Sequence, residues 1–367
     1  MPAALCSKTS KTVKKEVEMA HEITETDGAV YHSKPAWHGL GVVVDEAPTT
    51  KEALRLAGLE WGILQKPMFT TFETIAEDGS VVEERVEVPS HVANYRADNR
   101  SLLGVVSANY QPISNIELAD FCDKLLGEAT GKVRIESAGS IRGGKRVWFL
   151  LKGHDFTIGK GDVIYPYILA SNGHDGGATC RITPTTIRVV CSNTLHQVIP
   201  RTDNGELMGS AISLKHTSNL MERIEEAREA LRVYGTQTEK FKNFANDLTK
   251  RQVSSEQIRN FFLESYGADF GEIPLNPQTK SEKNAQNRAM SAIASFSRRF
   301  DDESSIAGTS VWNMVNAYSG LIQQDKKGRG KNDVAIVESR TESNLLGLNQ
   351  DRTMKALERA YRMCIIS

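Results

Sequence analysis

Residues 163–200 read VIYPYILASNGHDGGATCRITPTTIRVVCSNTLHQVIP, and the interpretation of the rest of the chain depends on them. The apolar and aromatic segment 163–171 is typical of a strand. The polar, glycine-rich segment 172–177 predicts a tight turn. Pro184 follows Thr183 at a position that suits the first turn of a helix, which predicts a helix over residues 184–195. The stretch therefore predicts a strand, a turn and a helix in succession.

The flanking sequence extends this pattern in both directions. Upstream, Ser114 is expected to cap a helix over residues 114–129, and strands are predicted at 132–140 and 146–152 around a Gly-Gly turn. From Ser213 onward apolar residues recur with a helical period, which predicts helices at 213–235, 238–250, 254–266, 281–300, 309–324 and 352–363. We expect an α+β fold in which an N-terminal mixed domain with a small antiparallel sheet (a β-β-β-α core) precedes a helical C-terminal region. The predicted division is a disordered tail (1–18), an α+β core domain (19–212) and a helical region (213–367).

Composition limits the possible functions. The net charge is −1, so any site for a polyanion must be a local patch. The five cysteines show no CxxC spacing, which favours a reducing compartment. The first residues contain Lys and Ser but no apolar core typical of a secretory signal, and no apolar run reaches the roughly 18 residues of a membrane span. We therefore expect a cytoplasmic protein without a membrane partner.

Charge is unevenly distributed between two predicted hairpins. Residues 131–160 contain seven basic and two acidic residues, and Trp148 and Phe149 are interleaved with them. Such a pattern is typical of a groove for a nucleic-acid backbone in which Trp148 or Phe149 is a stacking platform for bases, although a solvated hairpin gives the same pattern. The second hairpin, over residues 69–91, has six carboxylates and is expected to avoid polyanions. Arg181 and Arg188 lie near the turn and could contact phosphate or form structural ion pairs. The predicted nucleic-acid-binding residues are Lys132, Arg134, Arg142, Lys145, Arg146, Lys152, Trp148, Arg181 and Arg188.

The central turn allows several chemical interpretations. His154, Asp155, His174, Asp175, Cys180, Cys191 and His196 are possible metal ligands, but their spacing matches no zinc pattern. Cys191 and His196 lie five residues apart in the predicted helix and would not face each other, and no carboxylate completes a nucleophilic site. The glycines of 172–177 could instead present backbone N–H groups to an anion, or form a plain turn. No phosphate-binding loop signature is present. We predict no catalytic residue, no metal and no cofactor.

The same residues resemble a known family. SNGHDGGATCRITPTTIRVVCSNTL at 171–195 is similar to the signature of the phage- and plasmid-related proteins called domain of unknown function 932. WHGLG at 37–41 resembles the family's N-terminal motif, and TSVWNMVNAYSG at 309–320 resembles its helical segment, although Ser319 and Gly320 stand where the family often carries further charge. The resemblance covers nearly all of residues 19–361. It implies a bacterial cytoplasm and a setting in replication, recombination or host takeover.

Three functional hypotheses follow. The predicted order α-β-β-β-α is similar to the core of single-strand annealing recombinases, by topology alone. The leading hypothesis is thus a non-enzymatic, oligomeric DNA-binding protein that forms rings or filaments and binds or anneals single-stranded DNA. The alternatives are an adaptor or counter-defence protein that binds a host protein through the acidic hairpin, and a metal-dependent enzyme using His174, Asp175 and Cys191.

Overall fold

A computed structural model describes residues 29–32, 42–128, 133–188, 194–196, 198–201, 206–209, 211–214, 220–325, 336, 339, 343–344 and 347–363. The predicted tail 1–18, the WHGLG motif, Lys132 and Cys191 lie outside these residues. The described part combines a mixed sheet, a separate antiparallel sheet and a helical C-terminal region. This confirms the predicted α+β class.

The elements are as follows. The strands are β1 (Ala29–His32), β2 (Val42–Val44), β3 (Ile63–Ile75), β4 (Val81–Arg96), β5 (Leu102–Ser107), β6 (Arg134–Ile141), β7 (Arg146–Lys152), β8 (Phe156–Ile158), β9 (Asp162–Gly173), β10 (Cys180–Arg188), β11 (Thr194–His196), β12 (Val198–Arg201), β13 (Glu206–Gly209) and β14 (Ile212–Leu214). The helices are α1 (Thr50–Leu56), α2 (Asn115–Glu128), α3 (Leu220–Lys250), α4 (Ser255–Phe270), α5 (Lys280–Ala307), α6 (Val311–Gly320), a π-helical turn (Leu321–Asp325) and α7 (Leu348–Tyr361).

The large sheet has the order β11-β10-β9-β7-β6-β1-β2, with β14 beside β10 and β8 beside β9. Only β1 and β2 pair in parallel among the described strands. The predicted strands around the Gly-Gly turn are β6 and β7, and they occupy the middle of this sheet. The acidic hairpin predicted at 69–91 is also confirmed: β3 and β4 form it, and with β5 they make the second sheet. A two-stranded ribbon, β12-β13, is separate.

The helix predicted over residues 184–195 is wrong. Residues 180–188 form strand β10, which pairs along its length with β9, and 194–196 form β11. Thr183, Thr185, Thr186 and Ile187 are β-branched and buried, so they suit a strand inside a sheet. Pro184 lies between the segments that pair with β14 and β11, outside both of those ladders. The α-β-β-β-α order on which the similarity to annealing recombinases depended is therefore absent.

Two faces of the large sheet have different cores. Val147, Phe149 and Leu151 of β7 pack on the side that α1 and α2 cover, where Cys122 is fully buried. Ser114 caps α2 as expected: Glu117 N–H donates to its hydroxyl at 3.1 Å. Trp148 and Leu150 point to the opposite side and form a second cluster with Tyr167, Leu169 and Ile187. Because both faces of β7 are buried, its aromatic side chains are part of the core.

The helical region contains an aromatic core of its own, in which Phe261, Phe262, Phe296 and Tyr318 contact one another. The Trp312 indole N–H donates to Asp162 Oδ2 at 2.7 Å and so joins this core to the large sheet. Residues 213–250 differ from the prediction: 212–214 form β14, and α3 continues without a break through Gly235 to Lys250. No helix in the described part of the chain is both long enough and apolar enough to cross a bilayer.

Candidate functional site

The predicted site residues are divided between the two ends of the β6–β7 hairpin. In the antiparallel register Arg134 lies opposite Lys152 at the open end, and Ile141 lies opposite Arg146 beside the turn. Six residue steps of extended strand, from Arg146 to Lys152, separate the two ends by about 20 Å. The structure therefore does not bring the predicted cations together in one groove.

Trp148 does not form the predicted stacking platform. Its side chain is 2% exposed and Phe149 is fully buried, so neither ring offers a face to a base. Arg146 is also buried, and its guanidinium lies 2.5 Å from Asp175 Oδ1. Burial acts to raise the pKa of Asp175, but the Arg146 hydrogen bond and the Gly177 N–H outweigh it and hold that pKa below its usual value. The ion pair uses the Arg146 side chain inside the fold, so its geometry does not favour the predicted contact with phosphate.

The turn after β9 acts as a clasp between the two sheets. Asn94 of β4 donates to the carbonyl of His174 at 2.9 Å, and the Tyr110 hydroxyl donates to Gly173 O at 2.9 Å. Gly104 of β5 allows the close approach, because a Cβ there would lie 2.6 Å from the Asp175 Cα. The turn predicted at 172–177 is observed at 174–178, because β9 continues to Gly173, and its contacts fix one sheet against the other.

His174 occupies a fully buried site within this clasp. Its Nε2 lies 2.9 Å from Asn115 Oδ1 at the start of α2, and its ring meets Trp61 edge-on with centroids 5.4 Å apart. Asp175 is held by Arg146, so the two neighbouring residues have different partners. Among the described residues no group of three His, Cys, Asp or Glu side chains is placed to hold a metal ion. The arrangement of His174 is that of a structural histidine.

A polar cavity of about 310 Å³ lies at the open end of the hairpin, lined by Val133, Arg134, Lys152, Gly153, His154, Asp155 and Tyr165. The Lys152 amine lies 3.5 Å from the centre of the Tyr165 ring and 3.9 Å from Glu136 Oε1. Burial lowers the pKa of Lys152, and Glu136 opposes this shift. Arg134 is half exposed and lies 3.9 Å from the other Glu136 oxygen. Asp155 adds a second carboxylate, so two cations and two carboxylates balance here and exert little attraction on a polyanion.

The turn end of the hairpin has an exposed, positively charged surface. Arg142 is exposed and Lys145 half-exposed. The turn between β4 and β5 lies against this turn, because Arg96 stacks on Trp61 and its Nη1 donates to Gly143 O at 3.4 Å. That second turn adds Arg100, which is exposed and which the sequence did not suggest. Arg100, Arg142 and Lys145 together form what we call the turn patch.

Both arginines of the turn patch have a left-handed backbone. Arg100 has φ of 59° and Arg142 has φ of 57°, and no other described residue except glycine has a positive φ. Such a conformation costs a side-chain-bearing residue about 1–2 kcal/mol, and Gly or Asn is usual there. The chain thus places a long cation at each of two adjoining strained positions. Backbone geometry alone would favour glycine or asparagine at both positions.

The remaining predicted residues are further apart. Arg181 is exposed on β10, opposite Ser171 of β9. Arg188 pairs through its backbone with Ile164 at the other end of the same strand. Arg181 lies beside the turn, and Arg188 lies seven residues further along β10. Contrary to the expectation, the two arginines do not converge on the turn at 172–177.

A second basic surface was missed at the level of sequence. Every exposed residue of α5 between Lys280 and Arg298 is basic, polar, small or methionine, and none is acidic. Its cations are Lys280, Lys283, Arg288 and Arg298. A helical projection of residues 280–298 places these side chains on one side, so the signal was available in the periodicity.

Comparison with known proteins gives a family and no function. No curated protein and no solved structure matches the chain. A family model described as "Domain of unknown function (DUF932)" matches residues 102–353, a segment that includes the clasp, the β6–β7 hairpin and the helices up to the middle of α7. The match covers more than half of the 367 residues, as the motifs at 171–195 and 309–320 predicted, and the chain belongs to the DUF932 family.

Proposed function

We propose that the protein binds the phosphate backbone of DNA, in the first place single-stranded DNA, and catalyses no reaction. The turn patch is the observation that supports this proposal. Three cations project from two adjoining turns, and two of them occupy strained backbone positions. Phosphate binding by exposed Arg and Lys needs no cavity and no acid–base chemistry. The setting that the family resemblance implies, mobile-element replication or recombination with an oligomeric protein, belongs to the same proposal.

The distribution of charge favours this patch over the other predicted residues. At the open end Arg134 and Lys152 share Glu136, and Arg146 is used by Asp175. In the turn patch the nearby carboxylate of Asp98 is bound by Arg96, whose side chain is buried beneath the turn. Arg100, Arg142 and Lys145 place three positive charges at these two turns in a protein whose total charge is −1. Such a local excess attracts a polyanion within the screening distance of about 8–10 Å.

The test is binding of a labelled single strand, measured by fluorescence anisotropy across a series of salt concentrations. Three phosphate contacts predict a log–log salt slope of about −2 on single strands. Arg142→Glu/Lys145→Glu should reduce affinity by about tenfold or more and make the slope shallower. Lys124→Glu/Lys160→Glu is the control, because it reverses two exposed charges away from the turn patch. Equal affinity of the wild type and the turn-patch variant for the single strand would contradict the proposal.

A second measurement tests whether the protein prefers single-stranded or duplex DNA. Because Trp148 is buried, it offers no stacking platform for bases. A preference of the protein for single-stranded over duplex DNA would then come from the greater flexibility of the single-stranded sugar–phosphate backbone. Measuring the same protein on single-stranded and duplex oligonucleotides of equal length decides the point. Tighter binding to the duplex would keep the phosphate contact but exclude the annealing role.

A protein-binding adaptor is the second candidate. The β3–β4 hairpin favours it, because apolar side chains on this hairpin are exposed to solvent, among them Phe72 and Ile75. The expected result is a stoichiometric complex with a host protein, lost when the hairpin is shortened, together with no affinity for DNA. Retention of the complex by the shortened chain would exclude this role for the hairpin.

A further inference from the structure

Beyond its base, the β3–β4 hairpin is a ribbon of only two strands. β5 pairs with β4 only over residues His91–Tyr95, and the register shifts at Pro67/Met68. From Met68 to Val88 no third described strand joins the ladder. We call residues 68–88 the acidic arm. A two-stranded ribbon is marginal in water on its own, so a neighbour that covers one face would stabilise it.

Both faces of the acidic arm expose apolar side chains. The register places Phe72, Val82 and Val86 on one face and Phe69, Ile75 and Val81 on the other. Phe72 is 55% exposed and Ile75 is 80% exposed. Large apolar residues in this number on one short ribbon mark an interaction surface.

The charge of the acidic arm limits what can cover it. Six carboxylates oppose the single cation Arg85: Glu73, Glu77, Asp78, Glu83, Glu84 and Glu87. Two arms would repel each other, so the arm of a second copy is a poor partner. The complementary surface must be basic and must tolerate apolar contacts.

The outer face of α5 has these properties. It presents Lys280, Lys283, Arg288 and Arg298, and Met290 is 59% exposed among them. The partly exposed Glu282 accepts the N–H groups of Gln278 and Thr279 at the helix start, and Arg298 lies 3.9 Å from Asp325. From Lys280 to Arg298 the helix measures about 27 Å, and the eight residues of each arm strand span about 24 Å. We call this surface the receiving face. It is opposite in charge to the acidic arm and similar to it in length.

We propose that the acidic arm of one copy of this chain docks on the receiving face of a second copy. Every copy carries one arm and one receiving face, so the contact is complementary between two different patches. Repetition of such a contact closes a ring or extends a filament, and a reciprocal exchange gives a pair. The inference deepens the oligomeric part of the proposed function, but it rests on surfaces that do not include the turn patch.

Exchange of charge between the two surfaces tests the contact in the full-length chain. The arm variant is Glu83→Lys/Glu84→Lys/Glu87→Lys, and the helix variant is Lys280→Glu/Lys283→Glu/Arg288→Glu. All six side chains are exposed, so their replacement leaves the core intact. Sedimentation velocity over a concentration series should show that the wild type assembles and that each variant alone assembles about tenfold more weakly or worse. Glu239→Lys/Glu256→Lys/Glu264→Lys is the control, with three exposed carboxylates reversed elsewhere, and it should assemble like the wild type.

Mixing the two variants is the decisive measurement. The positively charged arm of the arm variant then meets the negatively charged helix of the helix variant. In the second contact, the unchanged acidic arm of the helix variant meets the unchanged basic helix of the arm variant. Assembly should return in the equimolar mixture, which also shows that neither variant is misfolded. A monomeric wild type, unimpaired variants or a mixture that stays dissociated would each overturn the proposal.

The DNA assay separates this result from the proposed function. The arm variant lacks none of the turn-patch cations and should still bind DNA through them. If the helix variant lost DNA binding and kept its assembly, α5 would be a nucleic-acid surface and the docking proposal would be wrong. If assembly failed as expected while Arg142→Glu/Lys145→Glu had no effect on DNA binding, the proposed function alone would be wrong.

Discussion

The β3–β4 and β6–β7 hairpins are both antiparallel pairs joined by a glycine-containing turn, and they lie in opposite environments. In β7 an unbroken apolar run lies between Arg146 and Lys152, whereas the first half of β4 mixes valines with glutamates. β6 and β7 lie between β1 and β9, and helices α1 and α2 cover one side of them, so β7 is buried on both faces. Beyond its base the acidic hairpin has no such neighbours among the described elements, and its side chains stay in solvent. Charge along a strand therefore does not indicate exposure. In the basic hairpin the charges reach solvent only at the two ends.

The largest expected effect comes from comparing a buried aromatic residue of the β6–β7 hairpin with an exposed one of the β3–β4 hairpin. Trp148→Ala removes a 2%-exposed indole and should lower the free energy of unfolding by about 3–5 kcal/mol. Phe72→Ala removes a ring that is 55% exposed, and the cost should be below about 1 kcal/mol. Urea titrations followed by circular dichroism measure both. Comparable losses in the two variants would mean that the acidic arm is packed and would break the comparison.

Local sequence was sufficient to predict the elements that local interactions determine. The caps at Thr49, Ser114 and Ser254 each have the residue three positions later that completes a capping box, and the C-terminal helices follow from their apolar period. The strand β10 was not predicted, because two local signals compete there. Thr183-Pro184 suits a helix start, whereas the β-branched residues around it suit a strand. Pairing with β9, β11 and β14 decides for the strand, and residue propensity alone does not show this pairing.

The site was less predictable than the fold for a similar reason. Lys145 and Arg146 are adjacent cations in the sequence, yet it is Arg146 that pairs with Asp175, twenty-nine positions further along the chain. Arg100 joins Arg142 because Trp61 and Arg96 hold two turns together, and no spacing in the sequence shows this. The basic face of α5 is different, since its residues share one helix and its periodicity contains the signal.

A second prediction compares a buried and an exposed ion pair at the two turns. Arg146–Asp175 is largely buried, whereas the Asp98 side chain of the Arg96–Asp98 pair is 45% exposed. Asp175→Asn should destabilise the protein by about 1–3 kcal/mol at neutral pH, because Arg146 is left buried without its charged partner. Asp98→Asn should have a smaller effect, since water screens that pair.

The pH dependence of the protein's stability tests whether Asp175 is charged in the same ion pair. The folded-state pKa of Asp175 is lowered, so its stabilising contribution is complete above the unfolded value of about 4 and is lost as pH falls through the folded value. Wild-type stability should therefore decline in this acidic window, and the decline should be shallower in Asp175→Asn. Thermal unfolding between neutral and acidic pH measures it. Parallel profiles for wild type and variant would contradict a charged Asp175.

The smallest expected effect concerns the strained turn of the basic hairpin. Arg142→Gly and Arg142→Ala both remove the guanidinium, but only glycine accepts φ of 57° without steric cost. Arg142→Gly should therefore be more stable than Arg142→Ala by about 0.5–1 kcal/mol, the relief of strain being offset in part by the greater freedom of glycine in the unfolded chain. Both variants should lose the same fraction of DNA affinity, because the contact depends on the cation. Equal stability would show that the turn is unstrained, and unchanged DNA affinity in both would show that the chain keeps Arg142 for a different purpose. A stabilised variant with weakened binding is the result expected if the chain accepts strain at this turn in order to present the charge.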